Sequence, residues 1–131
     1  MLKSELFKKT SYLLIFIAVL DILATVFYFH WTIWWYDVML HILAGACVGM
    51  AFMLLGIYHL NFPNTKRTRI IFYSFFAVLT VGFLWEVFEI GIGATSLSAG
   101  DVYKIDTVSD FLADLSGGFF GTLYSFKFFK K

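Results

Sequence analysis

The sequence predicts an all-α fold, a polytopic bundle of four transmembrane helices with both termini cytoplasmic. Three observations carry that prediction. Hydrophobic residues make up 60% of the 131 residues and charged residues only 15%, whereas a soluble domain carries about 25% charged residues. The excess apolar surface must therefore face lipid. Four stretches, about 11–29, 37–58, 70–93 and 106–126, approach the ~20 mostly apolar residues that a helix needs to cross a bilayer. Lys and Arg then segregate. The N-terminal tail (Lys3, Lys8, Lys9), the connector with Lys66, Arg67 and Arg69, and the C-terminal tail (Lys127, Lys130, Lys131) share one side, and only Lys104 lies on the other. By the positive-inside rule the rich side is cytoplasmic. A barrel is disfavoured because the strands would need alternating patterning, and in lipid only helices otherwise satisfy the backbone. The balanced charge of +1 gives nucleic acid no footing, and the single Cys47 cannot form an internal disulfide. The whole chain, 1–131, reads as one transmembrane domain.

The first stretch follows a Lys-rich start but is too long for a signal peptide and has no small-x-small cleavage site, so it is expected to remain as a span. Asp21 lies near its middle, where it would pair with a hydroxyl such as Thr80 or join a polar site from below. His30 and His59 read as interfacial surface histidines. Trp31, Trp34, Trp35 and Tyr36 fill the first outer connector, where an aromatic belt belongs. The second stretch opens Asp37-Val-Met-Leu-His41. Pro63 sits in the inner connector, where breaking a helix costs nothing. The third stretch carries Glu86-Val-Phe-Glu89 near its outer end. The connector 94–105 is the one loop long enough to act as a lid. The fourth stretch opens Asp106-Thr-Val-Ser-Asp110-Phe-Leu-Ala-Asp114.

Charges inside spans are costly and mark function by default. In this topology they share a depth. At 1.5 Å per residue, His41 lies about 6 Å below the outer surface, Glu89 about 6 Å, Glu86 about 10 Å, Asp110 about 6 Å and Asp114 about 12 Å. Residues three or four apart also share a helix face. Asp37 and His41 therefore face together, as do Glu86 and Glu89, and Asp106, Asp110 and Asp114 form one stripe. Gly45 and Gly49, and again Gly117 and Gly121, make G-x-x-x-G pairs suited to close helix contact in lipid. Asp37 and Asp106 sit at helix starts, where capping alone would explain them. Glu86, Glu89, Asp110 and Asp114 have no such excuse. Six carboxylates and one imidazole, with no buried Lys or Arg among them, must be hydrated, protonated or neutralised by cations. The set Asp37, His41, Glu86, Glu89, Asp106, Asp110 and Asp114 suits a divalent metal ion, Zn, Mn, Mg or Fe.

The layout D-x-x-x-H, then E-x-x-E, then D-x-x-x-D-x-x-x-D leading into G-G-x-x-G resembles the YjdF-like bacterial membrane proteins. It resembles the VanZ-like proteins more distantly. The matching segments are Asp37 to Gly45, Trp85 to Glu89 and Asp106 to Gly121. The resemblance implies a small multi-pass protein of the bacterial cytoplasmic (inner) membrane, with a link to the cell envelope. VanZ-like proteins tend to carry Gln and Asn where this chain has Glu89 and Asp110. The acidic stripe is also similar to part of the CDP-alcohol phosphotransferase metal motif, but the upstream D-G-x-x-A-R of that motif is absent.

Three function classes follow. One is a metal-dependent hydrolase or transferase acting on a lipid-linked or envelope substrate. Another is a structural or interaction protein whose polar or metal site holds the bundle together. The third is proton or cation transport, for which four helices would have to assemble as a homo-oligomer. In each case the lipid bilayer is the constant partner.

Overall fold

In the computed structural model, residues 2–95 and 97–129 are described. Lys130 and Lys131, part of the expected basic tail, lie outside them. Among the described residues five α-helices run in chain order: α1 (Leu2–Val26), α2 (Phe29–Thr32), α3 (Tyr36–His59), α4 (Arg67–Ile92) and α5 (Asp101–Ser125). The expected count of four is thus corrected to five. The extra element arises because the first stretch does not continue to residue 29. Tyr28 adopts a left-handed conformation, φ 60°, which ends α1 and sets α2 apart as a single turn.

Among the described residues, three helices are long and apolar enough to cross a membrane: Lys3–Val26, Tyr36–His59 and Arg67–Ile92. The expected fourth span does not meet that measure. With 25 residues α5 is long enough, but Asp101, Lys104, Asp106, Asp110 and Asp114 dilute its apolar character. The expected lid also shortens. Residues 101–105 belong to the first turns of α5, where Lys104 Nζ bonds Asp101 Oδ1 at 3.0 Å. The linker before α5 is reduced to a few residues around a 3-10 turn, Leu97–Ala99.

Glycine sets how these helices meet. A Cβ on Gly45 would run into the Asp114 carbonyl oxygen, one on Gly117 into that of Ile42, and one on Gly121 into that of Ala46. Gly49 would bring its Cβ 2.5 Å from the Gly118 carbonyl oxygen. Both G-x-x-x-G pairs therefore face each other, and residue numbers rise together along the seam, so α3 and α5 run parallel and in backbone contact. Helix α4 lies antiparallel on α5. Gly82 meets Asp114, Val78 meets Gly118, and Ser74 bonds Thr122, one turn apart at each step. Helix α1 runs antiparallel to α3: Tyr36 donates to the Leu20 carbonyl at 3.0 Å, and the Cys47 thiol approaches the Thr10 carbonyl.

The bundle is polar at one end and apolar at the other. Leu6, Met50, Met53, Ile57, Phe62 and Ile70 form the apolar cluster, and the basic residues gather around that end. Lys3 lies over the Tyr58 ring and Arg67 over the Phe126 ring. Helix α1 begins, and the 3-10 turn Phe126–Phe129 lies, at this basic end. The outer faces carry large exposed apolar side chains, including Phe72, Phe83 and Phe120, as a lipid-facing surface requires.

Candidate metal centre

At the opposite end, the start of α3 and the first half of α5 converge. Parallel contact along the glycine seam brings His41, one turn into α3, against Asp110 and Asp114 of α5. All three side chains are buried. His41 Nδ1 lies 3.2 Å from Asp114 Oδ1. His41 Nε2 lies 3.7 Å from Asp110 Oδ2 and 3.9 Å from Asp37 Oδ2. Asp37 and His41 are four residues apart on α3, which puts them on one face. Ligand atoms of Asp37, His41 and Asp110 all lie within 4.8 Å of one another.

The two imidazole nitrogens differ in environment. Nδ1 is within hydrogen-bond range of one carboxylate. The separations at Nε2 exceed that range. With Nδ1–H donating to Asp114, the Nε2 lone pair points between two carboxylates. A tetrahedral ion bound at 2.0–2.2 Å would hold its ligand atoms about 3.4 Å apart. The observed edges from Nε2 are a few tenths of an ångström wider. Asp114 is itself positioned by an omission on α4, since a Cβ on Gly82 would lie 2.8 Å from Asp114 Oδ2.

The expected residues separate by position. Asp37, His41, Asp110 and Asp114 come together. Glu86 is buried, but α5 satisfies it: Tyr103 Oη and Thr107 Oγ1 both donate to its Oε2, at 3.2 and 3.1 Å. Glu89 is half-buried one turn further along α4, and Asp106 is exposed at the rim. None of these three belongs to the close group around His41.

Two residues enter that were expected elsewhere. His30 was expected as a surface histidine, yet it bridges two acids. Its Nδ1 lies 3.1 Å from Asp37 Oδ1 and its Nε2 3.4 Å from Asp21 Oδ1. The left-handed turn at Tyr28 carries the α2 ring back toward the bundle, and residue spacing gives no sign of that. Asp21 therefore finds an imidazole rather than Thr80, whose hydroxyl bonds the Phe76 carbonyl in its own helix. The result is a line of alternating groups, Asp21–His30–Asp37, ending beside His41 and Asp110.

A carboxylate that fixes one imidazole nitrogen while the other faces further carboxylates is the common arrangement of metal-ligating histidines. Three protein ligands would leave a coordination position free. The chain matches, over residues 3–131, a family described as a predicted membrane protein (DUF2238). No curated protein and no solved structure matches it.

Proposed function

The chain belongs to the DUF2238 family of predicted membrane proteins, and from that premise we propose that it binds one divalent ion within the bilayer and uses it in catalysis. The ion, Zn, Mn, Mg or Fe, is held by Asp37, His41 and Asp110. Asp114 orients His41, and His30 orients Asp37. One observation carries the reading: two carboxylates face His41 Nε2 from 3.7 and 3.9 Å, too far for a hydrogen bond and close enough for an ion to bridge. Glu86, Glu89 and Asp106 line the acidic end around it, and the half-buried Glu89 and exposed Asp106 supply further carboxylates for substrate-bound protons.

With a coordination position free, an ion held by Asp37, His41 and Asp110 would supply Lewis acidity or lower the pKa of a bound water. The substrate class is a lipid-linked or envelope molecule with a phosphate or carbonyl oxygen to offer. Helix α5 completes the bundle as a fourth crossing. Asp110 and Asp114, the acids deepest along it, are buried against α3 and α4, as polar groups in a span require. The positive-inside rule puts the basic end in the cytoplasm and the metal end outside. The resemblance of its motifs to YjdF-like and VanZ-like proteins supports a bacterial cytoplasmic membrane as its location.

The test is turnover of lipid-linked phosphates by detergent-purified protein. We expect hydrolysis that a chelator removes and added ion restores, and none in Asp110→Ala. Chelator-insensitive turnover, or none above that variant, would sink the catalytic reading. The bonds from Tyr103 and Thr107 to Glu86 favour a second reading, in which the polar end staples α4 to α5. Under it, Glu86→Ala unfolds the protein instead of only silencing it.

A further inference from the structure

Away from the acidic end, α1 and α5 flank α3 and leave a groove of about 650 Å³ between them. Leu13, Met50 and Phe120 make its apolar walls, and Lys9 and Tyr124 stand at its mouth. Two cations meet there. Lys127 Nζ lies 3.4 Å from the Tyr124 ring centroid, and Lys9 lines the groove together with Tyr124. Among the described residues neither lysine has a carboxylate partner; the nearby Glu5 pairs with Lys8. From Lys9 to Leu13 and from Tyr124 to Phe120 is one helical turn, so the groove descends about 6 Å from the basic end toward the bundle centre.

We infer that this groove is a binding site for one phospholipid with an anionic headgroup. The phosphate sits between the Lys9 and Lys127 ammonium groups and accepts a hydrogen bond from the Tyr124 hydroxyl. The upper part of one acyl chain lies against Leu13, Met50 and Phe120. Charge complementarity selects the occupant: an apolar cleft alone would take any lipid, whereas Lys9 at its edge and Lys127 on the Tyr124 ring, neither with a carboxylate partner among the described residues, favour a net negative headgroup. Basic groups near the membrane surface attract such lipids. The site is independent of the metal centre, which lies at the other end of the bundle.

Native mass spectrometry of the full chain in detergent tests it, with dioleoylphosphatidylglycerol or dioleoylphosphatidylcholine added. We expect one retained phosphatidylglycerol, preferred over phosphatidylcholine on the order of tenfold. Lys9→Ala with Lys127→Ala, both at exposed positions, should abolish the preference while leaving the helical circular dichroism unchanged. Leu123→Trp, on the groove wall, should reduce retention with both charges intact. Millimolar inorganic phosphate should displace nothing. Equal retention of the two lipids, an undiminished preference in the double lysine variant, or displacement by phosphate would overturn the inference. So would a lipid-free dimer that Leu123→Trp converts to monomer, because the groove would then be an interface between copies of this chain.

Discussion

His41 concentrates the chemistry of the polar end in one ring. Its Nδ1 is committed to Asp114 at 3.2 Å, which leaves Nε2 for an ion. The two sides of the ring therefore respond differently to mutation. Replacing a ligand, as in His41→Ala, should abolish metal binding. Asp114→Asn keeps the shape but weakens the anchor of the ring, and partners of this kind typically contribute 10–100-fold in metal affinity. Isothermal titration of the apo-protein with Zn would separate these two effects. Gly82→Ala tests the same anchor from α4. Its new methyl would lie 2.8 Å from Asp114 Oδ2 and should reduce metal affinity although the residue is not a ligand. The α3 and α5 members of this set were legible in the sequence, because i,i+4 spacing and shared depth follow from helix geometry alone. His30 was not. It approaches Asp21 and Asp37 through a left-handed turn at Tyr28, and a single aromatic residue in that conformation leaves no mark in hydropathy or spacing.

Among elements, the seam between α3 and α5 determines whether the centre exists. His41 reaches Asp110 and Asp114 only because Gly45, Gly49, Gly117 and Gly121 let the two backbones touch. Gly45→Ala forces a methyl into the Asp114 carbonyl oxygen. Overpacking of this kind costs about 1–3 kcal/mol, and here it also shifts the residue that orients His41. Thermal unfolding in detergent should show Gly45→Ala less stable than the parent. Gly91→Ala is the control: nothing lies within 4 Å of a Cβ there, and alanine is the better helix former, so it should be neutral or slightly stabilising. The paired G-x-x-x-G motifs predicted close contact correctly. Which helices they would join was beyond them, since small-residue spacing does not name a partner. The same acids that define the site also lower the apolar character of α5. That is why a stretch read as a span from its length does not meet the composition of one, and why α5 needs α3 and α4 around it.

At the scale of the whole molecule, acid and base separate to opposite ends of the bundle, except for Glu5 and Lys104, each paired with a near neighbour of opposite sign. The acids converge where α3 and α5 begin and α4 ends, and the lysines and arginines gather where α1 and α4 begin and α5 ends. This polarity was readable from the order of charges along the chain, because antiparallel succession returns alternate connectors to the same end. The short α2 does not disturb it. The predicted orientation can be checked by cysteine labelling in a Cys47→Ala background. Lys3→Cys and Lys127→Cys should react with an impermeant maleimide only from the cytoplasmic side, and Leu97→Cys only from the outside. Labelling of positions 3 and 127 from opposite sides would require α5 not to cross. A transport reading must also account for the layer packed by Met53, Ile70 and Phe62 at the basic end, which a conducted ion would have to pass.

Elemental analysis of detergent-purified protein decides whether the polar end holds a metal, with wild type beside His41→Ala and Asp110→Ala. About one equivalent of Zn, Mn or Fe per chain in wild type, absent from both variants and lost from wild type on acidification as the ligands protonate, is the predicted result. Absence of bound metal from a folded wild type, even after incubation with each divalent ion, would contradict the account and leave His41 and its carboxylates as a proton-holding network.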